Sequence, residues 1–148
     1  MTNAYKVSIL YYLLFSLLLI SSAYMLFENK IGFAFGDIVN YYVGNEEKFI
    51  AAKSYGGVLK IVLPHIFVFG LFAMVLLHFL VFTELRYKKS FLALIYAAFT
   101  TALLEIFTPF FIIGGFSFFA YIKIFTFFAF LAFLLIILWL IFRSIVFK

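Results

Sequence analysis

Residues 116–142 read FSFFAYIKIFTFFAFLAFLLIILWLIF, and this run decides the fold class. Lys123 is its only charged residue. A helix of about 20 residues is long enough to cross the roughly 30 Å hydrocarbon core of a bilayer. Because backbone polar groups inside lipid must be satisfied within the segment, an apolar run of this length predicts a transmembrane helix rather than a strand.

Three further apolar stretches of similar character precede this run. They extend over about residues 7–27, 61–82 and 91–113. The sequence therefore predicts an all-α fold, an integral membrane four-helix bundle that forms a single transmembrane domain over residues 1–148. The first stretch is longer than the apolar core of a secretory signal, so we expect a helix that is retained.

The overall composition points to the same class of protein. Of the 148 residues, 68% are hydrophobic and 11% are charged, and the mean hydropathy is +1.25. A soluble domain needs more charge to cover its surface. The absence of cysteine excludes disulfides, thiolate metal sites and covalent c-type haem. The net charge of +5 comes mostly from residues at the ends of the predicted helices, so we expect lipid contact and no nucleic-acid partner.

The basic residues also predict an orientation. Arg86, Lys88 and Lys89 lie between the second and third stretches, and Lys6, Arg143 and Lys148 lie near the two ends of the chain. The positive-inside rule places all of these on the cytoplasmic side. We therefore expect a multi-pass protein of the bacterial inner membrane with both termini in the cytoplasm.

The connection at residues 28–60 then becomes an outer loop. It mixes apolar and polar residues, and we expect it to follow the membrane surface with a short interfacial helix. We expect Gly56-Gly57 to break the chain before the second helix, and Gly114-Gly115 to turn it between the third and fourth. The aromatic residues predicted to line the outer interface are Tyr41, Tyr42, Tyr55 and Tyr121; Tyr87 and Trp139 are predicted for the inner one.

The second helix contains both histidines of the chain, His65 and His78. Thirteen residues correspond to about 20 Å of helix, so one imidazole lies near each membrane surface. Such a pair resembles the ligands of dihaem membrane cytochromes b, and imidazole is a good axial ligand for haem iron. Each b-type haem needs a second ligand, which a homodimer could supply. In an ideal helix the two side chains point about 140° apart, which weakens the parallel with a dihaem protein. The alternative to haem ligation is that each histidine is hydrogen-bonded to a neighbouring helix or lies at the membrane interface. Gly70 shares a face with His78 and leaves room for a flat ring or for another helix.

Two further charges fall inside predicted helices. Glu105 belongs to a row of mostly small residues spaced four apart along the helix, a pattern that predicts a helix–helix contact. The row consists of Ala93, Ala97, Thr101, Glu105 and Pro109. Lys123 lies at a similar depth on the fourth helix, so a Glu105–Lys123 ion pair is expected. Together with His65 this region could hold haem propionates, a quinone headgroup or a proton relay, or it could be a structural ion pair.

A local similarity is carried by Lys53-Ser54-Tyr55-Gly56-Gly57-Val58-Leu59-Lys60 and by Pro64-His65-Ile66-Phe67. A glycine-containing entry into a histidine-bearing second helix resembles small, uncharacterised four-helix bacterial membrane proteins. The resemblance implies the four-helix fold and adds weight to the two histidines. It implies no activity.

Three functions remain open on the sequence. The leading hypothesis is a membrane electron-transfer protein that binds haem b through His65 and His78, with Gly70, Lys123 and Glu105 near the cofactor, as a homo-oligomer or beside a partner subunit. The alternative is a non-catalytic membrane subunit or assembly protein of a larger complex, without a cofactor. A proton channel or carrier that uses Glu105 is the third. Enzymatic catalysis is not expected, because no catalytic motif of a soluble enzyme is present.

Overall fold

A computed structural model describes residues 3–80 and 83–147. Within them the chain forms four long helices, a shorter helix and one 3-10 turn. The elements are α1 (Asn3–Lys30), α2 (Phe35–Val43), α3 (Tyr55–Leu80), the 3-10 turn (Glu84–Tyr87), α4 (Lys89–Ile113) and α5 (Phe119–Val146). The long helices α1, α3, α4 and α5 are each long and apolar enough to cross a membrane. The predicted all-α, multi-pass membrane fold is confirmed.

The helices run alternately up and down, which defines two ends of the bundle. The terminal face carries the start of α1, the 3-10 turn and the end of α5. The loop face carries α2, residues 44–54 and the Gly114–Gly115 turn. The predicted end of the second helix at residues 81 and 82 lies outside the described residues, as does Lys148.

The helical hairpin of α4 and α5 is the centre of the fold, and α3 packs mainly beside α4. In the most apolar 18-residue segment of each long helix, 44% of the residues are buried in α4 and 39% in α5. The corresponding shares are 22% in α1 and 11% in α3. The apolar side chains of α1 and α3 therefore mostly face outward, as lipid permits and water would not.

Polar side chains within α1 are satisfied by the helix itself. The hydroxyls of Ser8, Ser16, Ser21 and Ser22 each donate to the carbonyl oxygen four residues earlier, at 2.8–3.0 Å. A hydroxyl in hydrocarbon otherwise costs free energy, and this local bond removes most of that cost. The Tyr12 hydroxyl reaches farther and donates to the carbonyl of Phe72 at 3.1 Å, which ties α1 to α3.

The expectation that Gly56-Gly57 breaks the chain is wrong, because both glycines lie in the first turn of α3. The Ser54 hydroxyl accepts a hydrogen bond from the Gly57 amide at 3.1 Å and so caps the helix start. The Gly114–Gly115 turn is found where it was predicted. Gly115 has φ +97°, a left-handed conformation that side chains other than glycine rarely adopt.

The outer connection contains the short helix α2, which packs against α4 and α5 across the loop face. Its Phe35 ring stacks on Tyr121 at 4.5 Å between centroids. Ile38 and Tyr42 are buried. This corrects the assignment of Tyr42 to the outer interface, since only 1% of its surface is exposed and it faces the bundle.

Candidate functional site

The two charged residues predicted inside the bundle form an ion pair between α4 and α5. Lys123 Nζ donates to Glu105 Oε1 at 2.5 Å. The side chains are 5% and 12% exposed, respectively. Separated charges at this depth would be expensive, and their direct contact offsets much of the desolvation cost. The predicted contact is therefore present, and it closes the α4–α5 hairpin below its turn.

Pro109 explains a second bond made by the same ammonium group. Proline has no amide hydrogen, so the carbonyl of Glu105, four residues earlier in α4, loses its usual helical donor. Lys123 Nζ lies 3.2 Å from that carbonyl oxygen and donates to it. One lysine thus satisfies both the carboxylate and the backbone oxygen that the proline leaves open.

Thr126 completes the polar cluster from the next turn of α5. Its Oγ1 lies 3.1 Å from Glu105 Oε2 and 2.9 Å from the carbonyl oxygen of Ile122, so its single proton can serve either acceptor. Among the described residues, every buried side-chain nitrogen and oxygen has a hydrogen-bond partner. Within the cluster, Lys123 donates to both the carboxylate and the carbonyl of Glu105, and Thr126 lies within hydrogen-bond distance of the second carboxylate oxygen.

Two aromatic rings lie near the ammonium group of Lys123. Lys123 Nζ lies 5.8 Å from the centroid of Phe27 and 6.0 Å from that of Tyr42, at the limit of cation–π contact. Burial, and secondarily the carboxylate of Glu105, raise the pKa of the Tyr42 hydroxyl well above its usual range. Tyr42 therefore stays neutral where it adjoins the ion pair.

His65 lies outside this cluster. Its ring is exposed on α3, and its Nδ1 lies 2.6 Å from the carbonyl oxygen of Ile61 in the preceding turn. Since a carbonyl only accepts, Nδ1 carries the proton, and in the neutral imidazole Nε2 keeps its lone pair. The Phe69 ring meets the imidazole edge-on at 5.9 Å between centroids. Glu105 instead faces α5, so the structure does not join His65 to the ion pair.

His78 and Gly70 are also exposed on α3. His78 borders a shallow concavity with Met74, Val75 and Leu77. Gly70 has open space where a side chain would begin, with no atom within 4 Å. Gly70 therefore does not contact a neighbouring helix of the described chain.

A narrow crevice separates α3 from α4 and α5 near the middle of the bundle. Its volume is about 40 Å³, and its walls are wholly apolar, with Ala73, Ala98 and Ala102 among them. A porphyrin is far larger than this crevice. No group of three or more potential metal-ligating side chains occurs within residues 3–80 and 83–147.

The predicted site residues therefore fall into two separate groups: Glu105 and Lys123 inside the hairpin, and His65, Gly70 and His78 on α3. The predicted row of small residues is only partly at a contact, because Thr101 and Pro109 are buried while Ala93 is exposed. Sequence reasoning missed Thr126 and Tyr42. Thr126 could have been found, since it lies three residues after Lys123 on the same face of a helix.

Comparison with known protein families adds one finding. Residues 32–148 match the family Aq_1264_TM, described as a transmembrane helical domain. The chain belongs to this family. The match covers α2 to α5, with both histidines and the ion pair, and α1 precedes it. It confirms the resemblance to helical membrane proteins without an assigned activity. No curated protein and no solved structure matches the chain.

Proposed function

We propose that this chain is a non-catalytic membrane subunit that binds another membrane protein, or a second copy of itself, through α3. The observation that carries the proposal is the small buried fraction of α3, 11% of its most apolar 18-residue segment. A helix that contributes so little to its own bundle has a large surface available for another helix. The five basic residues and one acidic residue on the described part of the terminal face support an inner-membrane orientation with cytoplasmic termini.

The surface of α3 differs from a simple lipid-facing helix. It presents the imidazole of His65, whose Nε2 has no hydrogen-bond partner among the described residues. A polar nitrogen facing hydrocarbon is unfavourable, and a donor on a neighbouring helix would remove that cost. Gly70 leaves a gap in the same helix where another backbone can approach closely.

Site-specific photo-crosslinking in intact membranes tests this proposal. Benzoylphenylalanine would replace Phe67 or Met74 on α3, both 71% exposed. The matched controls are Phe15 on α1 and Phe125 on α5, which are 66% and 70% exposed. We expect protein adducts from the two α3 positions and not from the controls. An adduct of twice 17.2 kDa identifies a second copy, and other masses identify a different subunit. Adducts only from the control positions would refute the proposal.

A second candidate function is electron transfer through haem b, and the hydrogen bond of His65 favours it. Histidines that ligate metals commonly donate their other ring nitrogen to a backbone carbonyl, as Nδ1 does to Ile61. The iron would be ligated by Nε2 on the outer surface of α3, with a second ligand from the partner helix. The iron would supply one-electron chemistry, while the apolar α3 surface would exclude water.

Absorption spectroscopy of the protein purified in mild detergent tests this candidate. If the chain binds haem b, we expect a Soret band that His65→Ala weakens or abolishes and that Phe67→Ala leaves in place, since Phe67 lies two residues away on α3 and cannot ligate iron. A wild-type protein without a Soret band, or a band unaffected by His65→Ala and His78→Ala, rejects haem binding. The crosslinking result stands independently of either outcome.

A further inference from the structure

In the part of the chain that the structure describes, charged side chains are distributed unequally between the two ends of the bundle. The basic residues of the terminal face are Lys6, Arg86, Lys88, Lys89 and Arg143, against the single acidic residue Glu84. The loop face balances its charges, with Lys30, Lys48, Lys53 and Lys60 against Glu28, Asp37, Glu46 and Glu47. A membrane protein holds such an end at the level of the lipid headgroups, where the opposing charges are phosphates.

The fold concentrates three of these basic side chains. The 3-10 turn packs against the ends of both α4 and α5, which brings the start of α4 near the last turn of α5. Lys88 and Lys89 are exposed at the start of α4, and Arg143 is exposed in the last turn of α5. We call these three residues the basic rim. The 3-10 turn that precedes Lys88 contacts α5 as well as the two helices that it connects, α3 and α4.

Exposed aromatic side chains lie next to the basic rim in the chain. Trp139 is 59% exposed one turn above Arg143, and its ring stacks on Phe142 at 5.9 Å between centroids. Tyr87 is 73% exposed next to Lys88. Exposed Trp and Tyr rings favour the boundary between hydrocarbon and headgroups, so the rim lies where it can meet lipid phosphates.

We propose that the basic rim selectively binds anionic phospholipids, whose phosphodiester charge is not offset by a headgroup ammonium as it is in zwitterionic lipids. Each basic side chain near an anionic surface favours binding by about fivefold. Three acting together give a preference of about 100-fold for anionic over zwitterionic lipid, before losses from incomplete contact. The proposal does not depend on the partner of α3.

Native mass spectrometry of the full chain in detergent tests this proposal, with equal amounts of phosphatidylglycerol and phosphatidylcholine added. The test variant is Lys88→Gln/Lys89→Gln/Arg143→Gln. Its matched control is Lys30→Gln/Lys48→Gln/Lys60→Gln, which removes the same charge from three exposed lysines of the loop face. We expect phosphatidylglycerol adducts to exceed phosphatidylcholine adducts by at least tenfold in the wild type and the control, and by less than threefold in the rim variant.

Three results would overturn the inference. Equal retention of both lipids by the wild type would show that there is no selectivity. An equal loss in the two triple variants would assign the preference to net charge rather than to the rim. A further arm adds inorganic phosphate at the same concentration: if it displaces phosphatidylglycerol completely, the ligand is free phosphate and the lipid assignment fails. Circular dichroism of each variant confirms that the helices are intact.

Discussion

Replacing Lys123 by methionine tests the central polar cluster most directly. Methionine matches the length and apolar stem of lysine but donates no hydrogen bond. The change leaves both the carboxylate and the backbone carbonyl of Glu105 without their 2.5 Å and 3.2 Å donors. Removing one partner from a buried ion pair typically costs about 3–5 kcal/mol. We expect the free energy of unfolding to fall by that amount, because Pro109 denies the carbonyl an alternative donor.

The double variant Glu105→Gln/Lys123→Met separates the charge from the backbone contribution. It removes both charges, so the unpaired carboxylate no longer contributes. The carbonyl of residue 105 still lacks a donor, which costs about 1–3 kcal/mol. The double variant should therefore be more stable than Lys123→Met alone, a coupling that independent sites do not show.

The measurement is an SDS titration in mixed micelles, followed by far-ultraviolet circular dichroism and by the emission of Trp139, the single tryptophan of the sequence. Lys60→Met serves as the control, since Lys60 is exposed and should change stability by less than about 0.5 kcal/mol. The reasoning is refuted if Lys123→Met lies within 1 kcal/mol of the wild type, or if the double variant is less stable than the single one.

Three further predictions concern the loop face. Gly44→Ala should destabilise the fold by about 1–3 kcal/mol in the same SDS titration. Gly44 has φ +90°, and an added Cβ would lie 2.7 Å from the Ala52 amide nitrogen. An unchanged unfolding midpoint would contradict this prediction. Gly56→Ala should be neutral or stabilise α3 by up to about 1 kcal/mol, since the nearest neighbouring atom, Ser54 Oγ, lies 3.9 Å from the added Cβ. A loss of more than about 1 kcal/mol in the free energy of unfolding would argue against a helical Gly56. Tyr42 should stay protonated in the folded protein past the usual phenol pKa of 10.0, so wild-type stability should fall as the pH rises above about 10, where the unfolded phenol ionises. Tyr42→Phe should lessen that alkaline loss in SDS titrations at pH 8 to 11, and an identical pH dependence in both proteins would show that Tyr42 is not shielded.

The fold could be predicted from the sequence because lipid imposes one dominant requirement. Long apolar segments must satisfy their own backbone, so their length alone indicates helices. The start of α3 was harder to predict, since Gly56-Gly57 looks like a break until the cap supplied by Ser54 is considered. Local side-chain bonds of this kind can outweigh the low helix propensity of glycine.

The interior ion pair could also be predicted. An isolated charge in hydrocarbon requires a partner, and Lys123 was the basic residue predicted at a depth similar to that of Glu105 on the next helix. The burial of Tyr42 could not be predicted. Its position depends on the path of α2 across the loop face, and tyrosine alone equally suits a membrane interface. The exposure of His65 likewise depends on how α3 is rotated against α4, which the nearly uniform apolar sequence of α3 leaves unspecified.

The position of Lys123 has a consequence for biogenesis. Glu105 and Lys123 lie eighteen residues apart in the chain, on either side of the Gly114–Gly115 turn, so they meet as soon as α4 and α5 fold back on each other. A hairpin that closes at the translocon can then partition into lipid with its two interior charges already paired, and neither helix has to enter with a bare charge near its middle. We expect α4 and α5 to integrate together, after the ribosome has released both, rather than one by one in order of synthesis.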